Sequence, residues 1–181
     1  MSLIDFKERY SKQRQDLTGI LEVDNVNALP KLAKISVNVG TGRLRGNKDM
    51  LAYVEGALKQ ITGQKPAITK ARKSIAGFKL REGEEVGMRV TLRGGKMYDF
   101  LNRLINVTLP RIREFRGFAA SSFDAQGNLN IGLGDTSPFA ELGHSALDKP
   151  FGMSITLNFR NSSREKSFKL LQTLGLPVKI D

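Results

Sequence analysis

Thirteen Lys and Arg residues lie between Lys65 and Gly117 against five Asp and Glu, so this stretch carries +8 of the net +11 of the 181-residue chain. The cations are spaced by Gly, Ser and Thr rather than massed in a tail. Cations in a patterned, foldable segment form a fixed surface for a polyanion, because each phosphate they neutralise releases condensed counterions. The chemistry on offer is recognition of nucleic acid. The densest part is the loop Lys70 to Arg81, where Lys70, Arg72, Lys73, Lys79 and Arg81 flank Ser74, Gly77 and Phe78. Glycine lets backbone N–H groups approach phosphates, and a phenyl ring is a platform for a base. Phe78 reads equally well as a core residue.

Bond-making chemistry finds no constellation here. The chain has no Cys and a single His, which excludes thiol catalysis, a disulfide framework and any Cys or His zinc site of the usual spacing. His144, between Gly143 and Ser145, reads as part of a surface loop. Glu84 and Glu85 are adjacent and lack the apolar setting that raises a carboxyl pKa for acid–base work. Gly40-Thr41-Gly42 follows a strand pattern, but the third glycine of a dinucleotide fingerprint falls at Gly46 where the spacing requires position 45, which is Arg45. No phosphate-binding Gly-x4-Gly-Lys-Ser/Thr element occurs. The reading is a non-enzyme with no cofactor and no metal.

The elements that must position the basic residues follow from periodicity. Ile35, Val37 and Val39 alternate with Lys34, Ser36 and Asn38, the period of a half-buried strand. Val86, Met88, Val90 and Leu92 alternate in the same way with Gly87, Arg89, Thr91 and Arg93 on the opposite face. Further strands are expected at Ala67 to Thr69, Asn128 to Leu133 and Met153 to Phe159. Leu3, Phe6, Tyr10 and Leu17 mark a first helix, capped by Ser2 and stopped at Gly19. Met50, Leu51, Val54, Leu58 and Ile61 make a second apolar stripe, from about Lys48 to Gly63. A third helix runs from Lys96 with Met97, Phe100, Leu101, Leu104 and Ile105 inward until Pro110 stops it. A last helix fits Ser163 to Leu174, capped by Ser162 with Glu165 three residues on.

Three apolar helix stripes need a sheet face to cover. The economical arrangement is an α+β two-layer sandwich, a mostly antiparallel sheet covered by helices on one face, with the other face open. That open face, with Asn38, Arg89, Thr91 and Arg93, suits RNA, since amides and hydroxyls bond to bases or ribose while guanidinium groups hold phosphates. No repeat or linker splits the chain, and one domain over 1–181 is expected. No stretch approaches the roughly 18 apolar residues of a membrane span, and Asp5, Glu8 and Asp16 interrupt any targeting pattern at the start.

Several motifs carry a resemblance. Gly63-Gln64-Lys65-Pro66, the run Ile68 to Ser74, Ala76-Gly77-Phe78-Lys79, Val90-Thr91-Leu92-Arg93-Gly94 and the run Leu109 to Gly117 are similar, in order, to the large-subunit ribosomal protein five family, bacterial type. Ser122-Phe123-Asp124 with Gly127-Asn128 extends the likeness over nearly the whole chain. The resemblance implies a constituent of the central protuberance that binds 5S rRNA and large-subunit rRNA beside other 5S-associated ribosomal proteins. It implies a 5S contact through Asn38, Gln64 and Thr91, joined on the open face by Arg89 and Arg93. It implies contact with P-site tRNA through Lys70, Arg72, Lys73, Ser74, Gly77, Phe78 and Lys79, and an intersubunit bridge to small-subunit ribosomal protein thirteen. A ribosome-bound, cytoplasmic location with no membrane partner follows. The departure from the family pattern lies between Gly134 and Gly152, where Phe139-Ala140-Glu141-Leu142 and Gly143-His144-Ser145 replace the usual stretch. A free-standing RNA-binding regulator is the alternative reading.

Overall fold

The computed structural model describes residues 5–23, 25–44, 46–112 and 115–179. Five strands, β1 (Lys31–Gly40), β2 (Ala67–Lys70), β3 (Glu85–Leu92), β4 (Leu129–Leu133) and β5 (Met153–Arg160), form one sheet in the order β2-β3-β1-β5-β4. With its helices this is the expected α+β two-layer arrangement. By compactness the chain forms two units, one of residues 1–35, 92–131 and 156–181, the other of residues 36–91 and 132–155.

In the first unit, α1 (Phe6–Lys12) and α2 (Arg14–Ile20) stand where one helix is expected. Asp5 caps α1, its Oδ1 accepting from the Lys7 and Glu8 amides at 3.0 and 3.2 Å. Ser2, the expected cap, lies outside the described residues, as does Leu3. Phe6 donates its backbone N–H to Asn102 Oδ1 at 3.0 Å, fixing the start of α1 against α4 (Gly94–Arg103). The Tyr10 hydroxyl donates to Pro30 O at 3.0 Å. Burial pushes the phenols of Tyr10 and Tyr98 above their ordinary range, opposed at Tyr10 by the Arg14 cation.

Pro110 does not stop the third helix. A π-helical turn, Leu104–Thr108, follows α4 and leads into α5 (Leu109–Arg111), with Pro110 in its first turn. A proline ring collides with the carbonyl four residues back in a regular helix; the wider π turn relieves that conflict, and a missing N–H costs nothing in a first turn. The last helix, α7 (Arg164–Thr173), is capped by Ser163 rather than Ser162, the Ser163 side chain accepting from the Lys166 amide. Ser162 Oγ instead meets Ser167 Oγ at 2.6 Å. Phe100, Leu101, Leu104, Phe123, Leu157 and Leu171 fill the core of this unit.

In the second unit, α3 (Lys48–Thr62) begins at Asn47, whose side chain accepts from the Met50 amide, and ends at Gly63 as expected. Val54, Leu58 and Ile61 are buried on its inner stripe, with Val37, Val39, Met88, Val90, Met153 and Ile155 from the strands. The turn Ala140–Leu142 packs against α3, and the short α6 (Ser145–Asp148) follows.

Gly127 shows how tightly the first unit is assembled. Its φ is +78°, and a Cβ there would sit 2.5 Å from Ser163 O and 2.6 Å from Ser167 Oγ. Gly127→Ala is expected to cost about 2 to 4 kcal/mol, from left-handed strain and overpacking together. A lower urea midpoint at unchanged m-value would record it.

Candidate nucleic-acid interface

Strand alternation decides which side chains the sheet leaves uncovered. In the second unit Ile35's successors Val37 and Val39 point inward, so Ser36 and Asn38 point outward; Met88 and Val90 are buried, so Arg89 and Thr91 face out beside them. β1 and β3 are neighbours, and Asn38, Arg89 and Thr91 therefore share one surface. β2 pairs antiparallel with β3, placing Ala67 opposite Arg89 and Thr69 opposite Gly87 on that same surface. Gln64 precedes β2, separated from Ala67 by Lys65 and the buried Pro66. Its backbone is held by the buried Thr62, whose hydroxyl accepts from the Gln64 amide at 3.3 Å. Arg93, in the first unit, is exposed at the N-cap of α4.

Gly87 and Ser154 belong to this surface although sequence reasoning did not single them out as site residues. A Cβ on Gly87 would lie 2.9 Å from Val39 O and 3.0 Å from Thr69 Oγ1, so only glycine lets the strands close without pushing the surface apart. Ser154, at an outward position of β5, donates its hydroxyl to Asn38 O at 3.4 Å. The signal for both was the alternation itself: in β5, Ser154, Thr156, Asn158 and Arg160 occupy every second position. Thr156 and Asn130 are on this kind of outward position in the first unit, joined by a 2.9 Å hydrogen bond.

The segment after β2 forms a hydrogen-bonded hairpin arm. Ala71 N–H donates to Glu84 O at 2.8 Å, Gly83 N–H to Ala71 O at 3.0 Å, and Ile75 and Leu80 exchange both backbone bonds at 2.9 and 3.1 Å. Ser74 Oγ accepts from the Glu82 amide at 2.9 Å, so this side chain braces the arm across its two strands. Ala76, Gly77 and Phe78 form the tip, closed by Lys79 in the left-handed conformation. Lys70, Arg72, Lys73, Lys79 and Arg81 are all exposed along the arm. Phe78 is 71% exposed, which resolves its two readings against the core.

Among the described residues no group of three or more His, Asp or Glu is placed to hold a metal ion. His144 is exposed, next to the short α6, and the Glu84–Glu85 pair sits at the root of the arm with neither residue buried.

Residues 25–81 match the family model described as "Ribosomal protein L5", and residues 85–178 match the companion model for the C-terminus of that ribosomal family. The chain belongs to the ribosomal protein L5 family. Relatives named large ribosomal subunit protein uL5 agree over almost the full length. That of Solibacter usitatus is 44% identical over 174 residues, 96% of this chain and 97% of the relative. That of Dehalococcoides mccartyi is 38% identical over 179 residues, 99% of this chain and all of the relative. That of Halothermothrix orenii is 45% identical over 156 residues, covering 86% and 87%. Membership in the L5 family makes this a large-subunit, rRNA-binding ribosomal protein of the cytoplasmic ribosome and not an enzyme.

The arm and the core make separable demands. Phe78→Ala is expected to leave folding stability within about 0.5 kcal/mol of the parent, whereas Phe123→Ala in the first unit should cost about 3 to 5 kcal/mol. Chemical denaturation of the two variants side by side checks both values.

Proposed function

We propose that this protein binds 5S rRNA through the outward face of its sheet and helps attach that RNA in the central protuberance of the large subunit. The observation that carries the reading is the uncovered surface on which Asn38, Arg89 and Thr91 lie together, with Gln64 in the segment that leads into its edge strand β2. Asn38 and Gln64 offer amide donors and acceptors, Thr91 a hydroxyl, and Arg89 and Arg93 guanidinium groups for phosphates, a set suited to a folded RNA read by shape and ribose hydroxyls. Gly87 keeps the surface low enough for a sugar–phosphate backbone to approach.

The arm is proposed to contact P-site tRNA. Its internal hydrogen bonds fix the backbone that presents Phe78 and the flanking cations, so less backbone entropy is lost on binding. Phe78 supplies a stacking face, Gly77 a close backbone approach, and Lys70, Arg72, Lys73 and Lys79 the phosphate contacts.

A contact with small-subunit ribosomal protein thirteen is proposed for residues 132–155. Three acidic residues face one cation there, where residues 36–91 carry eleven cations against five acids. Leu147 is 67% exposed on α6, and the lone cation, Lys149, lies over the Tyr53 ring at 5.5 Å. Such a patch repels phosphates and accommodates a basic protein.

Two experiments separate these roles. Asn38→Ala with Thr91→Ala should cost about 1 to 3 kcal/mol of 5S rRNA affinity with unchanged thermal stability; unchanged affinity would overturn the assignment of the sheet face. Replacing Lys70, Arg72 and Lys73 by Gln should spare 5S binding and weaken P-site tRNA retention on reconstituted ribosomes. Equal loss of both would make the arm a general phosphate clamp.

A further inference from the structure

Of the large apolar side chains left exposed among the described residues, Ile68, Ile75 and Phe78 belong to β2 and the basic arm, and Leu147 to α6. The remaining two, Ile20 and Val26, lie in a different setting. From Gln15 to Pro30 the chain contains no Lys or Arg and three acids, Asp16, Glu22 and Asp24, a local charge of −3 in a protein of +11. α2 turns Leu17 and Leu21 into the core and leaves Asp16 and Ile20 exposed; four residues apart, these two are neighbours on one helix face. The turn Val26–Ala28 packs against α2, its start fixed by Asn25, which accepts from the Asn27 amide at 2.8 Å. Ile20 is 43% and Val26 37% exposed.

The carbonyl end of α2 adds to the negative field, for no basic residue stands in its last turn. Among the described residues no Lys or Arg forms an ion pair with Asp16 or Glu22. Glu22 also holds a φ of +51°, a conformation in which glycine is the relaxed choice after a helix, so its carboxylate is displayed at a cost in backbone strain. Phosphates are repelled from such a surface. Two exposed apolar side chains on packed elements, with exposed carboxylates at Asp16 and Glu22, complement a cationic, amphipathic polypeptide.

We propose that the α2 face, Asp16, Ile20, Glu22 and Val26, is a docking site for a Lys- or Arg-rich segment of another protein of the same particle. The inference rests on the ribosomal placement proposed above only for the partner's origin. The test uses the full chain, isotope-labelled, titrated with a short peptide alternating Lys and Leu, with its Glu-for-Lys counterpart, and with a short oligouridylate. The Lys peptide should move the amides of Asp16 to Ala28, and Asp16→Asn combined with Glu22→Gly should weaken that binding about five-fold or more while 5S rRNA binding persists. Glu22→Gly relieves strain, so loss of binding in that variant is not loss of fold. Equal binding of the Glu peptide, oligouridylate at the same amides, or no response between Asp16 and Ala28 would overturn the proposal. Binding of 5S rRNA, followed on the same sample through the amides of β1 and β3, reports the sheet-face reading independently.

Discussion

One-sided burial of the sheet is the constraint on which the rest depends. The strand period is two, so burying Ile35, Val37, Val39, Val90, Leu92 and Ile155 against helices obliges Ser36, Asn38, Arg89, Thr91 and Ser154 to face out. A slip of one residue would bury Arg89 and expose Val90. Each buried aliphatic side chain favours the native register by about 1.5 to 3 kcal/mol, so the core, not the polar residues, fixes where the polar residues stand. The outward side chains are thereby free to be selected for binding alone.

The arm solves a different problem, because it has no core to hold it. Its shape comes from backbone pairing between Ile75 and Leu80, the Ala71 to Glu84 link and the Ser74 brace. Five exposed cations on so short a hairpin repel one another, and the paired backbone keeps them presented until a polyanion relieves that repulsion. Sheet face and arm, the two surfaces proposed for RNA, are thus held by two routes, one set by packing and one by local hydrogen bonding. The residues from Gln15 to Pro30 and from 132 to 155, by contrast, are acidic in sequence and carry exposed apolar side chains, in a chain of net charge +11.

Much of this was legible in the residues. The stripe Val54, Leu58, Ile61 and the stop at Gly63 define α3, and β1 and β3 follow from alternation, because both patterns are dictated by burial. Local detail was less legible where tertiary contacts decide. The start of α1 carries, besides the local Asp5 cap, a bond from the Phe6 amide to Asn102, nearly a hundred residues away. The helix continues past Pro110 because a π turn absorbs the ring, which no local propensity announces. Phe78 could be placed at the surface only once the hairpin was known to project it. At the candidate site, Asn38, Gln64, Arg89 and Thr91 were readable from alternation and motif, whereas Gly87 matters through a close approach to Val39 O that a sequence does not display.

The most direct test of the account is a titration of the purified protein against 5S rRNA and a size-matched structured RNA at several salt concentrations. A shape-reading surface predicts a preference for 5S rRNA that persists at physiological salt, where counterion-driven nonspecific binding falls away. Two superimposable curves with the same salt slope would contradict it, leaving a basic surface that binds any folded RNA.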